Sequence, residues 1–330
     1  MNLIFETNYA IFSIFASLLI TEIIGSIVIL MFYDAAKSKV LDYVVPIWEV
    51  TGTFAAFWVV TGDMAYPSLL VPVATIFGAL LTVFLITLVG RNASIVFGEF
   101  ITKKGWLDAR RLYKAYALST ILLGVTALVL LSSLVSGAGV LSNAKPLSTA
   151  FNLGDWASKI GSWLFLAGTL LIGVGLAPVF FDIRPMAKSY FALTVLGVLT
   201  SVGAYYAYSA SLVTGYIAIP VVLTIMANVL YLWKKTAPIV VNKAVFISAL
   251  SIIIFSLQPL IYPNFVGQAL SIDALTTTGP MVSVFYETTW AGGALLAVML
   301  AIYLSVVTRQ RKVMAAINAR HVAGPIQEQA

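Results

Sequence analysis

Apolar side chains run along this chain in nine long blocks, near residues 9–32, 46–65, 67–90, 112–136, 157–181, 187–208, 213–233, 243–263 and 283–308. Each block is close to or above the ~20 residues with which a helix crosses a bilayer. The blocks are continuously apolar and about twice the length of a barrel strand, so they predict helices and not strands. The pattern therefore predicts an all-α integral membrane protein, a bundle of about nine transmembrane helices. It reads as a single polytopic domain over 1–320 followed by a short polar tail, 321–330, expected to be disordered. The first block lacks a basic n-region and exceeds an h-region in length, so it is expected to stay as a helix. Pro178, Pro220 and Pro259 fall within predicted helices, where each removes a backbone hydrogen bond and is expected to kink its helix.

Composition supports the same class. Of 330 residues 61% are hydrophobic and 10% are charged, against about 25% charged in a soluble domain. The mean hydropathy of +1.00 leaves that excess nowhere to go but lipid. The cations then set the orientation. With the N-terminus outside, every Lys and Arg except Lys145 and Lys159 falls on an inner loop, Arg91 and Lys243 among them. Such a split across alternate loops predicts an N-out, C-in chain. It also removes nucleic acid as a partner, because the +6 net charge is spread over short loops and forms no aromatic-lined groove. The inner stretch 91–111 mixes charge with Phe97, Phe100 and Trp106 and reads as an interfacial segment, with a docking surface as the alternative.

The chemistry is bounded by what the chain lacks. It has no cysteine, and its one histidine, His321, stands in the tail, so disulfides, thiolate metal sites and imidazole ligands within the bilayer are excluded. No Gly-rich phosphate loop or serine–histidine pair is present. Acids within the spans remain as candidates, since a carboxylate at mid-bilayer costs about 2.5–3.5 kcal/mol. Glu22 lies about 15 Å from the inner end of the first span and Glu49 about 5 Å from that of the second. Linked by water with Thr21, Thr51 and Thr53, they could be successive steps of a proton path from the inner side. The plainer readings are helix-terminus electrostatics for Glu49 and a packing hydrogen bond for Glu22. Asp63 and Glu287 lie near the outer interface, and Asp182 with Arg184 reads as a tight inner turn with a local ion pair.

Short motifs in chain order resemble subunit II of cytochrome bd-type quinol oxidases. Thr21-Glu22 matches a Thr-acid pair in that family's first helix. Trp48-Glu49 followed by Phe54-Ala55-Ala56-Phe57 and by Ala65-Tyr66-Pro67 resembles its second. Arg91, Phe97, Glu99, Phe100, Lys103 and Trp106 resemble the run after its third helix, and Tyr262-Pro263, Thr276-Thr277-Thr278-Gly279-Pro280 and Thr288-Thr289-Trp290 resemble its last outer loop and ninth helix. The family's Asn and Trp after the Trp-acid pair are replaced here by Val50-Thr51-Gly52-Thr53.

The resemblance implies a non-haem-ligating subunit in the plasma membrane, paired with a haem-bearing subunit I, with or without a small third subunit. The partner would carry haem b, with or without haem d, and the assembly has room for a structural quinone. Glu22 and Glu49 would supply a cytoplasmic proton path, with Thr21, Thr51 and Thr53 along it and Trp48, Arg91, Glu99 and Trp106 in support. Two other readings stand beside this one. A proton-coupled secondary transporter would use Glu22 as its coupling site and kinked helices as a gate. A haem-free quinol-binding anchor would serve a different respiratory complex.

Overall fold

A computed structural model of the chain describes residues 2–100, 108–140, 150–183, 187–208, 217–233, 236–262, 264–266 and 270–322, with backbone alone at 35–39, 187, 260, 265 and 307–322. The protein is an all-α membrane protein. Its first element, α1 (Leu3–Ala65), is helical over 63 residues except at Phe32, where φ −135° and ψ 34° break it. The chain reverses there into a hairpin of two spans, Leu3–Asp34 and Val40–Ala65. The arms close at a small residue: a Cβ on Gly25 would stand 2.8 Å from Val44 Cγ2 and 3.6 Å from Val40 Cγ1. Asn8 donates to Thr61 Oγ1 at 3.2 Å at the far end.

A short α2 (Leu70–Ile76) precedes α3 (Gly78–Phe100), and α4 (Ala109–Ser136) returns beside α3. Gly137, left-handed at φ 75°, ends α4 in the way glycine allows. Then come α5 (Leu153–Ser158), α6 (Ile160–Phe181), α7 (Ala187–Tyr208), α8 (Ala218–Leu232), α9 (Ala237–Val240) and α10 (Lys243–Phe255). Asn242 opens α10 by accepting from the amides of Ala244 and Val245, the usual role of an amide side chain at a helix start. Two strands, Asn264–Phe265 and Leu270–Ser271, pair antiparallel before α11 (Ile272–Leu275) and α12 (Pro280–Val322).

The first arm of α1 is the centre of the bundle. Ile23 packs where Gly124 of α4 leaves space, Ile27 reaches Gly173 of α6, and Ser251 of α10 donates to Ser17 at 2.8 Å. The second arm faces α12, where Phe57 packs on Gly292 and Tyr303 donates to the Tyr43 carbonyl at 3.2 Å. At the hairpin turn Arg110 of α4 pairs with Asp34 at 2.9 Å.

Seven helical stretches among the described residues are long and apolar enough to cross a membrane, and two shorter apolar helices, α8 and α10, fall on the remaining predicted blocks. Several boundaries differ from the pattern. The second span begins at Val40 and carries Pro46 within it. The third is displaced: the chain turns at Pro67, breaks at Phe77, and α3 continues to Phe100, so Arg91–Phe100 is helix and not loop. Pro220 stands in the first turn of α8, where no intrahelical bond is lost, and Pro259 lies in a 3₁₀ turn after α10; neither kinks a span. Pro178 does lie within α6. The helix of α12 runs on to Val322, and residues 323–330 of the tail lie outside the described residues.

The tightest pairing is α6 on α7, and glycine makes it possible. A Cβ at Gly175 would stand 2.7 Å from the Thr194 amide nitrogen and 2.9 Å from the Tyr190 carbonyl, atoms that cannot swing aside. At Gly203 it would meet nothing nearer than Leu164 Cδ1 at 3.9 Å. Helix interfaces in lipid are enriched in small residues, which let backbones approach and pack closely. Gly175→Ala is therefore expected to lower the thermal midpoint of the purified chain in detergent by several degrees, and Gly203→Ala to leave it unchanged. Equal midpoints would show that α6 and α7 do not depend on this contact.

Candidate functional site

Glu22 points from the first arm into the bundle, and its side chain is 0% exposed. A bare carboxylate at that depth would be costly, and three donors gather on its Oε1 oxygen. Arg91 Nε of α3 donates at 2.8 Å, Arg91 Nη2 donates in parallel, and the Tyr116 hydroxyl of α4 is the third donor. Arg91 is itself 2% exposed. Its remaining donors go to Asn92 Oδ1 at 2.9 Å and to the Trp48 carbonyl at 3.3 Å, and its guanidinium lies 5.9 Å from the Tyr116 ring centre. The acid on α1 is thus clamped by two other segments, α3 and α4. The reading of Arg91 as an inner-loop cation is corrected here. The residue follows an apolar block, but α3 continues past it and turns its side chain inward onto a carboxylate.

Thr21, beside Glu22, shares a 2.6 Å hydrogen bond with the Tyr43 hydroxyl and donates to the Leu18 carbonyl at 2.8 Å. Tyr43 leads to a second buried cation. Lys243, counted from the pattern as an inner-loop charge, is 5% exposed. Its ammonium donates to the Phe180 carbonyl and lies 3.5 Å from the Phe180 ring centre, 4.7 Å from that of Phe181 and 5.6 Å from that of Tyr43. An ammonium against aromatic faces at the last turn of α6 is stabilised by ring quadrupoles and by the helix C-terminus.

Glu49 occupies a different place. It is exposed on the second arm, at a cleft of about 430 Å³ lined by Val45, Trp48, Glu49, Ile95, Val96 and Glu99, with Phe100 at its edge. Glu99 accepts from the Tyr113 hydroxyl. The two acids of the expected path are therefore not side by side: Arg91 and the Trp48 backbone stand between Glu22 and the cleft. Their depths differ from expectation as well. Because the second arm starts at Val40 and Gly25 packs against Val40 and Val44, Glu49 lies level with Glu22 or slightly beyond it, not about 10 Å nearer the hairpin turn.

The threonines are divided too. Thr51 is buried and donates to the Ile47 carbonyl, whereas Thr53 is exposed and donates to that of Glu49. Trp106 lies outside the described residues. Asp63 and Glu287 are exposed, Asp182 accepts from the Tyr231 hydroxyl at 3.0 Å, and Arg184 lies outside the described residues. Among the described residues no group of three or more His, Cys, Asp or Glu gathers in a metal-binding arrangement.

Tyr116, Tyr43 and Lys243 were not candidates from sequence. Tyr116 lies 94 positions from the acid it serves, and no local signal marks that pairing.

No family model and no curated protein matches the chain. Among solved structures it is similar to a chain of the bd oxidase from Geobacillus thermodenitrificans, at a TM-score of 0.70 and 16% identity over 92% of this chain and 97% of that one. The likeness spans both proteins almost end to end, so the resemblance to a bd oxidase extends from short motifs to the fold: this chain folds as that bd oxidase chain does.

Proposed function

We propose that the chain is subunit II of a cytochrome bd-type membrane quinol:oxygen oxidoreductase in the plasma membrane, N-terminus outside and C-terminus cytoplasmic. The full-length fold likeness carries this reading. In it the chain ligates no haem and pairs with a haem-bearing subunit I. The scarcity of imidazole and thiolate in its sequence supports that division of labour, since those groups are the usual axial ligands.

Its own contribution is structure and proton access. Glu22 is the acid that protons reach within the bilayer, Arg91 and Tyr116 hold it in place, and Glu49 with Glu99 forms an acidic cleft against α3. Thr21, Thr51 and Thr53 lie along the second arm and its partner. A bound quinone belongs to the assembly in this reading and not to a ligand set of this chain.

The test is to tag the chain, extract it from native membranes in mild detergent, and record the partner list with a reduced-minus-oxidised absorption spectrum. A polytopic, histidine-containing partner with haem bands is expected. A spectrally blank protein without such a partner would overturn the assignment and give the weight to proton-coupled transport.

A further inference from the structure

The hydrogen bonds on Glu22 are lopsided. Oε1 takes all three donors, and Oε2, equally buried, has no hydrogen-bond partner among the described residues. One turn along the same arm, toward the hairpin, the Ser26 hydroxyl is also fully buried and also has no partner among them. Ser26 departs from the habit of its own helix. Thr7, Ser13, Ser17 and Thr21 each turn the hydroxyl back to a carbonyl three or four residues earlier, at 2.7, 2.7, 2.7 and 2.8 Å. That back-bond is open to any serine in a helix, so a hydroxyl that leaves it unmade in a dry interior has a better partner elsewhere.

Positions 22 and 26 lie on one face of the helix, about 5–6 Å apart at Cβ, close enough for oxygens on the two side chains to share one water. A carboxylate oxygen accepts and a hydroxyl both donates and accepts, so the two atoms are complementary to a water and need one, since each is costly to bury bare.

We propose that Glu22 Oε2 and Ser26 Oγ hold an internal water, and that this water delivers protons to Glu22 from the side of the hairpin turn. In the transfer an O–H bond of the water breaks as Oε2 takes its proton, and the water regains a proton from solvent water on the side of the hairpin turn, since residues 27–32 of the arm carry no donor side chain. No charge is left on the water. The route places the entry to Glu22 along the first arm, on the opposite oxygen from the Arg91 clamp, and does not need Glu49 to reach Glu22 directly. The delivery half rests on the oxidase reading; the water half does not.

The test pairs electron cryo-microscopy of the full chain in its native assembly with turnover measurements on the same preparations. In the wild type a density peak is expected between Glu22 Oε2 and Ser26 Oγ, absent in Ser26→Ala. Oxygen-dependent quinol turnover is expected to slow about tenfold in Ser26→Ala, the factor set by a lost interaction of about 1.4 kcal/mol, with haem content and monodispersity unchanged. Ser26→Thr, which keeps the hydroxyl, is expected to hold turnover within about twofold of the wild type. No peak in the wild type would overturn the water. A peak with wild-type turnover in Ser26→Ala would overturn the delivery. An assembly without haem bands would sink the oxidase reading and with it the delivery, while the density would still decide the water.

Discussion

Glu22→Gln is expected to destabilise the chain by about 3–5 kcal/mol, the cost of leaving a buried charge without its partner, and to do so more severely than Arg91→Leu. The two halves of the pair are chemically unequal. A carboxyl left alone can take up a proton and become neutral, whereas a guanidinium stays charged at any physiological pH. Glu22→Gln strands Arg91 at 2% exposure with donors aimed at an amide. Arg91→Leu leaves a carboxyl that still receives the Tyr116 hydroxyl. The measurement is the yield of monodisperse protein and its thermal midpoint in detergent for both single variants. Equal losses, or a milder loss in Glu22→Gln, would mean that the guanidinium finds water or another acid and that the clamp described here is not what holds it.

The second large effect is on turnover. Replacing both members by apolar residues of similar volume, Glu22→Met with Arg91→Leu, removes the buried charges together, a change that is often neutral or stabilising. The double variant is therefore expected to recover the folded yield lost in Glu22→Gln. Turnover of the assembly should nevertheless fall by about a hundredfold, the lower range for losing a positioned proton-transfer group. Recovered folding with wild-type turnover would reduce Glu22 and Arg91 to packing partners. In the proposed reading the haems belong to the other subunit, so an unchanged reduced-minus-oxidised spectrum is part of the expected result.

The fold was legible because a bilayer imposes a length. Blocks of about twenty apolar residues mark spans whatever their order, and a break in hydropathy marks most of their ends. Glu22 was legible for the same reason, as an acid where acids are expensive. The edges were less so. Pro46 and Pro67 look alike as helix breakers, but the first is carried inside a helix and the second ends one. Arg91 and Lys243 each stand at the edge of an apolar block, where a cation normally marks water. Burial of these two depends on a carboxylate 69 residues away in one case and on two phenylalanines 62 and 63 residues away in the other. Hydropathy carries no information about such distant partners. The motif resemblance did single out Arg91, but as a support residue and not as the countercharge of Glu22. Tyr116 and Tyr43 were invisible for a further reason: tyrosines are common at membrane interfaces, and only the register of α4 and of the second arm turns Tyr116 to Glu22 and Tyr43 to the neighbouring Thr21.

The break at Phe32 acts as an index mark for everything beyond it. Helix runs almost up to that residue on one side and resumes directly on the other, with no slack loop to absorb a change of length. One residue inserted beside it would rotate the second arm by about 100° and shift it by about 1.5 Å. The Trp48 carbonyl would leave Arg91, and Glu49 would turn away from the cleft it shares with Glu99. The spacing between Glu22 and Trp48 is in this sense a ruler, and the number of residues in the hairpin matters to the site as much as which residues they are.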